Sequence, residues 1–193
     1  MAVRPSGPKP AVFLDRDGVV NAVELIDETA TGPLSREALE IGSEVAGELE
    51  RLREAGFVLP VVSNQPEVSR GRMTLDTVHS TNRLLMEMTP IDAVYFCPHD
   101  NDEDCVCRKP RPGLIHQAAR DWAIDLGRSC LIGDRWVDIA AALAGGIDGI
   151  LLETEYSWRK TSSGAPPGDL TPIFASPTLS GCVDFILESR RYG

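Results

Sequence analysis

The sequence contains no apolar run approaching the ~20 residues that a membrane span requires. It also lacks the apolar core of a secretory signal. The chain begins MAVRPSGPKP, and the apolar stretch that follows, Ala11 to Leu14, is too short for one. A cytoplasmic location without membrane association is therefore the expectation. Positive charge is in deficit: 19 Lys and Arg stand against 29 Asp and Glu, for a formal charge of −10. That balance excludes a general nucleic-acid binder, although a local cationic cleft for a small anion remains open. Lysine is scarcest, with Lys9, Lys109 and Lys160 against 16 Arg. Internal repeats and heptads are missing as well, which excludes solenoids and coiled coils. What is left, at 193 residues and 42% hydrophobic content, is one globular domain with a core of ordinary size.

Apolar runs alternate with helical spacing. Strands are expected at Ala11–Asp15, Phe57–Val62, Ile91–Phe96, Ser129–Gly133 and Ile147–Leu152. Helices are expected over Ser43–Ala55, Thr74–Met88, Pro112–Ile124 and Val137–Ala144, with Thr74 as a cap, and a last one near Leu179–Ser189. The stretch from Gly18 to about Glu40 reads as an irregular excursion, and Arg159–Leu170 as a polar Gly/Pro-rich loop. Strands that are apolar throughout and separated by helices predict an α/β fold: a Rossmann-like three-layer sandwich with a mainly parallel sheet. The whole chain, 1–193, is read as one domain, with a core over 11–153 and a C-terminal extension over 154–193.

Ligands of such sheets bind at the C-terminal strand ends, which is where the chemistry-bearing residues fall. Asp15 and Asp17 leave the first strand together. A carboxylate needs no deprotonation to attack phosphorus, a second one can serve as general acid, and the pair calls for a Mg2+ between them and a phosphate. Ser63, followed by Asn64 and Gln65, ends the second strand and could hold phosphate oxygens. Lys109, alone between residues 10 and 159, could neutralise nucleophile and phosphate. Asp134 ends the fourth strand, with Asp138 one turn later as a supporting acid. Each has a plainer reading taken singly: an acidic turn, a polar turn, a solvated basic loop, a helix cap.

Taken in order, "FLDRDGVVN", "VVSNQ", "CRKP" and "IGDRWVD" resemble the four motifs of the haloacid dehalogenase superfamily of aspartyl-phosphate phosphatases, over roughly residues 11–153. The resemblance implies Asp15 as nucleophile, Asp17 as general acid and base, and Ser63 and Lys109 stabilising the phosphoryl group. It implies Mg2+ on Asp15, the backbone carbonyl of Asp17 and Asp134. Arg16, Asn64, Gln65, Arg108 and Arg135 are the expected substrate contacts.

Cys97, His99, Cys105 and Cys107 supply three thiolates and an imidazole around an acidic loop that cannot bury itself. That set suits a closed tetrahedral Zn2+, whereas Cys130 and Cys182 lie in apolar runs and read as core. A zinc loop directly before the Arg-Lys-Pro run resembles the capless heptose-bisphosphate phosphatases and the related histidinol-phosphate phosphatases. The substrate implied is a small phosphorylated sugar, and a monomer is expected. Three departures from the family pattern stand out: Pro66-Glu67 after "SNQ", where a small residue and Gly are common, Arg135 where Lys is common, and a His99–Cys105 spacing shorter than in some relatives. The rival readings are phosphatase chemistry on histidinol phosphate and a non-catalytic zinc-stabilised binding module.

Overall fold

The computed structural model describes residues 7–26 and 29–192. Its sheet contains β1 (Val12–Leu14), β4 (Pro60–Asn64), β5 (Ala93–Cys97), β6 (Cys130–Gly133), β7 (Asp148–Leu152) and β8 (Phe174–Ser176). The strand order is β5-β4-β1-β6-β7-β8, and every pairing is parallel. The helices are α1 (Val45–Glu54), α2 (Leu75–Met88), α3 (Gly113–Trp122), α4 (Trp136–Ala144) and α5 (Leu179–Glu188).

The period of two along β1 and β6 divides the core. Val12 and Leu14, with Cys130 and Ile132, join α1 and α5 in one cluster; Phe13 and Leu131 join α3 and α4 in the other. These alternations make a three-layer sandwich, as the apolar runs predict. Cys130 and Cys182 are buried in the first cluster. Two helices start on side-chain caps: Thr74 Oγ1 accepts the Thr77 N–H at 3.1 Å, and Thr178 Oγ1 the Gly181 N–H at 3.1 Å.

Three expectations are adjusted. The second strand begins at Pro60, not Phe57. Phe57, Val58 and Leu59 are buried, but of these only Val58 forms a β-bridge, to Ala11, while Leu59 is held by Asp92 at the start of the β5 edge. The excursion after Gly18 carries an antiparallel hairpin, β2 (Glu24–Ile26) and β3 (Thr29–Thr31). It is the only regular structure between β1 and α1 among the described residues, so nothing of cap size covers the strand ends. Finally, β8 adds a sixth strand beyond residue 153, and α5 packs over β7 and β8. No helix among the described residues is long and apolar enough to cross a membrane.

Candidate active site and metal centres

Parallel strands aim their C-terminal ends at one edge, and β1, β4 and β6 deliver Asp15, Ser63 and Asp134 there. Asp15 is 1% exposed, and Asp134 and Asp138 are fully buried. Carboxylates do not tolerate such burial without cations. Two cations are present, Arg135, whose Nε lies 3.8 Å from Asp134 Oδ1, and Lys109, which is as buried as Asp15. Lys109 Nζ lies 2.7 Å from Asp15 Oδ1 and 2.6 Å from Asp138 Oδ1, and donates to the Val62 carbonyl at 2.8 Å. Burial alone would lower the Lys109 ammonium, but Asp138 and Asp15 outweigh it and hold it above its ordinary value. Its backbone is pinned by Asn64, whose Nδ2 donates to the Lys109 carbonyl and whose Oδ1 accepts the Lys109 N–H, both at 3.0 Å.

Lys109 and the more distant Arg135 do not balance three buried carboxylates. Asp15 Oδ2 is buried without a hydrogen-bond partner, and the two buried oxygens of Asp134 have only the neighbouring Tyr156 hydroxyl and no well-formed hydrogen bond. Burial pushes the Asp15 carboxyl up to about 6 despite Lys109, and raises Asp134 well above the carboxylate range. Oxygens of Asp15, Asp134 and Asp138 lie within 4.8 Å of one another. A hard divalent cation with oxygen ligands fits this set. Gly18 completes the cradle: its φ is +92°, and a Cβ there would fall 2.0 Å from Asp134 Oδ2, so a side chain is excluded on both counts.

Asp17 does not face this cluster with its carboxylate. Arg16 Nε and Nη2 donate to Asp17 Oδ1 and Oδ2 at 3.0 and 3.2 Å; Gln65 Nε2 donates to Oδ2 at 2.7 Å, and Asn21 Nδ2 to Oδ1 at 3.0 Å. Arg16 is 1% exposed. Its remaining donors go to Asn82 and Gln65, at 3.0 and 2.9 Å. Gln65 also donates to Ser63 Oγ at 2.9 Å. Arg16, Asn64 and Gln65, expected against substrate, hold Asp17, Lys109 and Ser63, and of the three Asn64 and Gln65 also line the cleft described next. Asn21 and Asn82 were not singled out in the sequence. Asn82 leaves one faint signal, a polar residue on the buried face of α2.

Above these groups opens a cleft of about 380 Å³. Arg108, Arg135 and Lys160 line it, as do Ile26 of β2 and Leu34 beyond the hairpin. Glu67 also lines it, but is neutralised by Arg70 at 3.0 Å and Arg72 at 2.5 Å. Arg108 is held by Asn101 Oδ1 at 2.6 Å and the His99 carbonyl at 3.1 Å.

Those last two partners belong to the cysteine loop. Cys97 Sγ lies 3.2 Å from Cys107 Sγ and 3.5 Å from Cys105 Sγ; His99 Nδ1 lies 3.5 and 3.4 Å from Cys97 and Cys107. Zn–S bonds of 2.3 Å place tetrahedral sulfurs about 3.8 Å apart, close to this spacing. Burial raises the Cys97 thiol. Cys105, where backbone N–H groups and neighbouring thiols outweigh burial, falls to about 7. Thiols pulled apart this way become uniform thiolates when a soft cation is bound, and the donor set fits zinc.

The HAD-hydrolase-like family model matches residues 106–171. The D-glycero-beta-D-manno-heptose-1,7-bisphosphate 7-phosphatase of Rhodopseudomonas palustris is 36% identical over 76% of this chain and 85% of its own length. The chain belongs to the HAD-like hydrolases. Within that family, the D-glycero-D-manno-heptose-1,7-bisphosphate 7-phosphatase of Thermosynechococcus vestitus is 33% identical over 93% of this chain and 96% of its own. The crystal structure of the D,D-heptose 1,7-bisphosphate phosphatase of B. bronchiseptica, complexed with magnesium and phosphate, superposes with a TM-score of 0.75. It covers 93% of this chain and 98% of its own, at 27% identity.

Proposed function

We propose that this HAD-family phosphatase removes the 7-phosphate of a heptose 1,7-bisphosphate through an aspartyl phosphate on Asp15. The observation that carries the chemistry is the buried array in which Lys109 joins Asp15 to Asp138 while Asp15 Oδ2 and the Asp134 oxygens lack well-formed hydrogen bonds. Mg2+ held by Asp15, Asp134 and the backbone carbonyl of Asp17 would screen carboxylate from phosphate and stabilise charge on the phosphoryl oxygens.

Asp15 attacks phosphorus in line, forming an acyl phosphate as the ester P–O bond breaks. Asp17 supplies the proton to the departing sugar oxygen, then takes one from the water that cleaves the acyl phosphate. For both transfers its carboxyl must turn from Arg16 toward the cleft. Ser63 and Lys109 stabilise the phosphoryl group in transit. Arg108 and Arg135, on the cleft wall, suit a second anion. Zn2+ on Cys97, His99, Cys105 and Cys107 would fix the loop that carries Arg108. The free cysteines suit a reducing compartment, and we place the reaction in the cytoplasm.

Steady-state kinetics on heptose 1,7-bisphosphate, heptose 7-phosphate and histidinol phosphate test the substrate. The bisphosphate should exceed the monophosphate by one to two orders of magnitude in kcat/KM, about 1.5–3 kcal/mol for one charge-assisted contact. Histidinol phosphate as the best substrate would overturn the sugar assignment and leave the phosphatase chemistry standing.

A further inference from the structure

The segment after β7 has no part in the chemistry above, yet it forms a wall of the same cleft. Its start is fixed to α4, where the Trp136 N–H donates to the Ser157 carbonyl at 3.0 Å and Trp136 Nε1 to the Arg159 carbonyl at 3.2 Å. It then turns tightly, with Thr161 and Gly164 exchanging backbone hydrogen bonds at 2.9 and 3.0 Å. The turn is tied across the cleft to the cysteine loop. Arg108 Nη2 donates to Ser162 Oγ at 3.4 Å, and Ser163 Oγ donates to Asn101 Oδ1 at 3.2 Å, the oxygen that also accepts from Arg108 Nε.

Lys160 stands between these two anchors, exposed and lining the cleft. Arg70 and Arg72 there are paired with Glu67, while Arg108 and Arg135, also suited to an anion, are partly engaged by Asn101 and the His99 carbonyl and, at 3.8 Å, by Asp134. No carboxylate among the described residues pairs with Lys160. An ammonium with no carboxylate partner, on a braced turn lining the same cleft as Asp17 and Arg108, is placed to meet an anionic group of a substrate held there. We propose that Lys160 is a specificity-determining residue that binds the remote, non-reacting phosphate of the substrate, on a turn that Ser162 and Ser163 tie to the cysteine loop. This rests on the bisphosphate reading above. An ammonium is a compact point charge that tolerates the varied approach of a phosphate on a flexible sugar, and remote binding of this kind positions the reacting ester.

The test compares heptose 1,7-bisphosphate with heptose 7-phosphate for the wild type, Lys160→Met and Lys160→Arg, at low and high salt. Lys160→Met should lower the bisphosphate-to-monophosphate ratio of kcat/KM about tenfold, the worth of one exposed charge-assisted contact. Lys160→Arg should keep most of the ratio, and added salt should shrink the wild-type ratio more than that of Lys160→Met. An unchanged ratio in Lys160→Met, or an equal loss on both substrates, overturns the assignment of Lys160 while leaving the bisphosphate reading intact. A wild type that shows no preference for the bisphosphate overturns that reading, and this inference with it.

Discussion

The Arg16 guanidinium grips the carboxylate of its own chain neighbour, Asp17, at both oxygens, with Nε 3.0 Å from Oδ1 and Nη2 3.2 Å from Oδ2. Burial alone would raise the Asp17 carboxyl, but Arg16, with Asn21 and Gln65, outweighs it and holds the group below its ordinary value. A carboxyl lowered in the folded state contributes stability above its unfolded value, and the contribution disappears as pH falls through the folded value. Arg16→Met leaves burial with less opposition. Its acid unfolding, followed by circular dichroism, should begin at a higher pH than wild type. An unchanged onset would show the clamp to be idle.

Asp15→Asn should abolish turnover, because an amide cannot form the acyl phosphate. Its stability should move the opposite way. The Asp15 carboxyl is raised from 3.8 to about 6 in the folded protein, so its contribution is present below pH 3.8 and is lost as pH rises through about 6. Metal-free Asp15→Asn should therefore have a Tm at pH 7.5 no lower than wild type, and Mg2+ should raise the wild-type Tm more than the variant's. Near wild-type phosphate release by Asp15→Asn would sink the mechanism.

Lys109→Met removes the one ammonium shared by Asp15 and Asp138. Breaking a buried pair costs about 3–5 kcal/mol, since the partner charge is left uncompensated. Urea unfolding of the metal-free variant should show a loss of that order, partly restored by millimolar Mg2+. A loss below about 1 kcal/mol would mean that the carboxylates are protonated or hydrated in the resting protein.

Protein purified without added metal should contain about one zinc per chain, the stoichiometry of a single closed site. Cys105→Ser should release it and lower Tm, because binding there is folding energy. The same variant should lose bisphosphate preference, since Asn101 and the His99 carbonyl, which hold Arg108, sit on that loop. Zinc-free protein with unchanged Tm would remove the metal from the account.

What the sequence made legible follows the physics of burial. Apolar runs such as Val12–Leu14 and Cys130–Gly133 mark strands covered on both faces, and the carboxylates beyond them mark the ligand edge. The runs report burial more faithfully than pairing, which is why Phe57 reads as strand although the ladder starts at Pro60. β8 and the β2–β3 hairpin escape because each strand is three residues long, and Glu24–Ile26 is exposed throughout, leaving no alternation to detect. At the site, residue types at strand ends are readable. The direction of a side chain is not, so Arg16 reads as a substrate contact when its guanidinium points inward to Asp17, Gln65 and Asn82. The turn around Lys160 is polar and aperiodic, and its relation to Arg108 exists only through Ser162.

The placement of β1 inside the sheet also governs when the site can exist during synthesis. Its hydrogen-bonding neighbours are β4 on one side and β6 on the other, and the Ala11–Ser129 contact at the start of that second seam joins residues 118 positions apart. Closing so long a loop costs about 4 kcal/mol in chain entropy beyond a constant, with nothing local to offset it. Until β6 and α4 have emerged from the ribosome, Asp15 has neither Asp134 nor Asp138 beside it, and Lys109 has one of its two carboxylate partners. A nascent chain is thus chemically silent until Asp138 has joined the sheet edge, and phosphate release would report that this seam has closed.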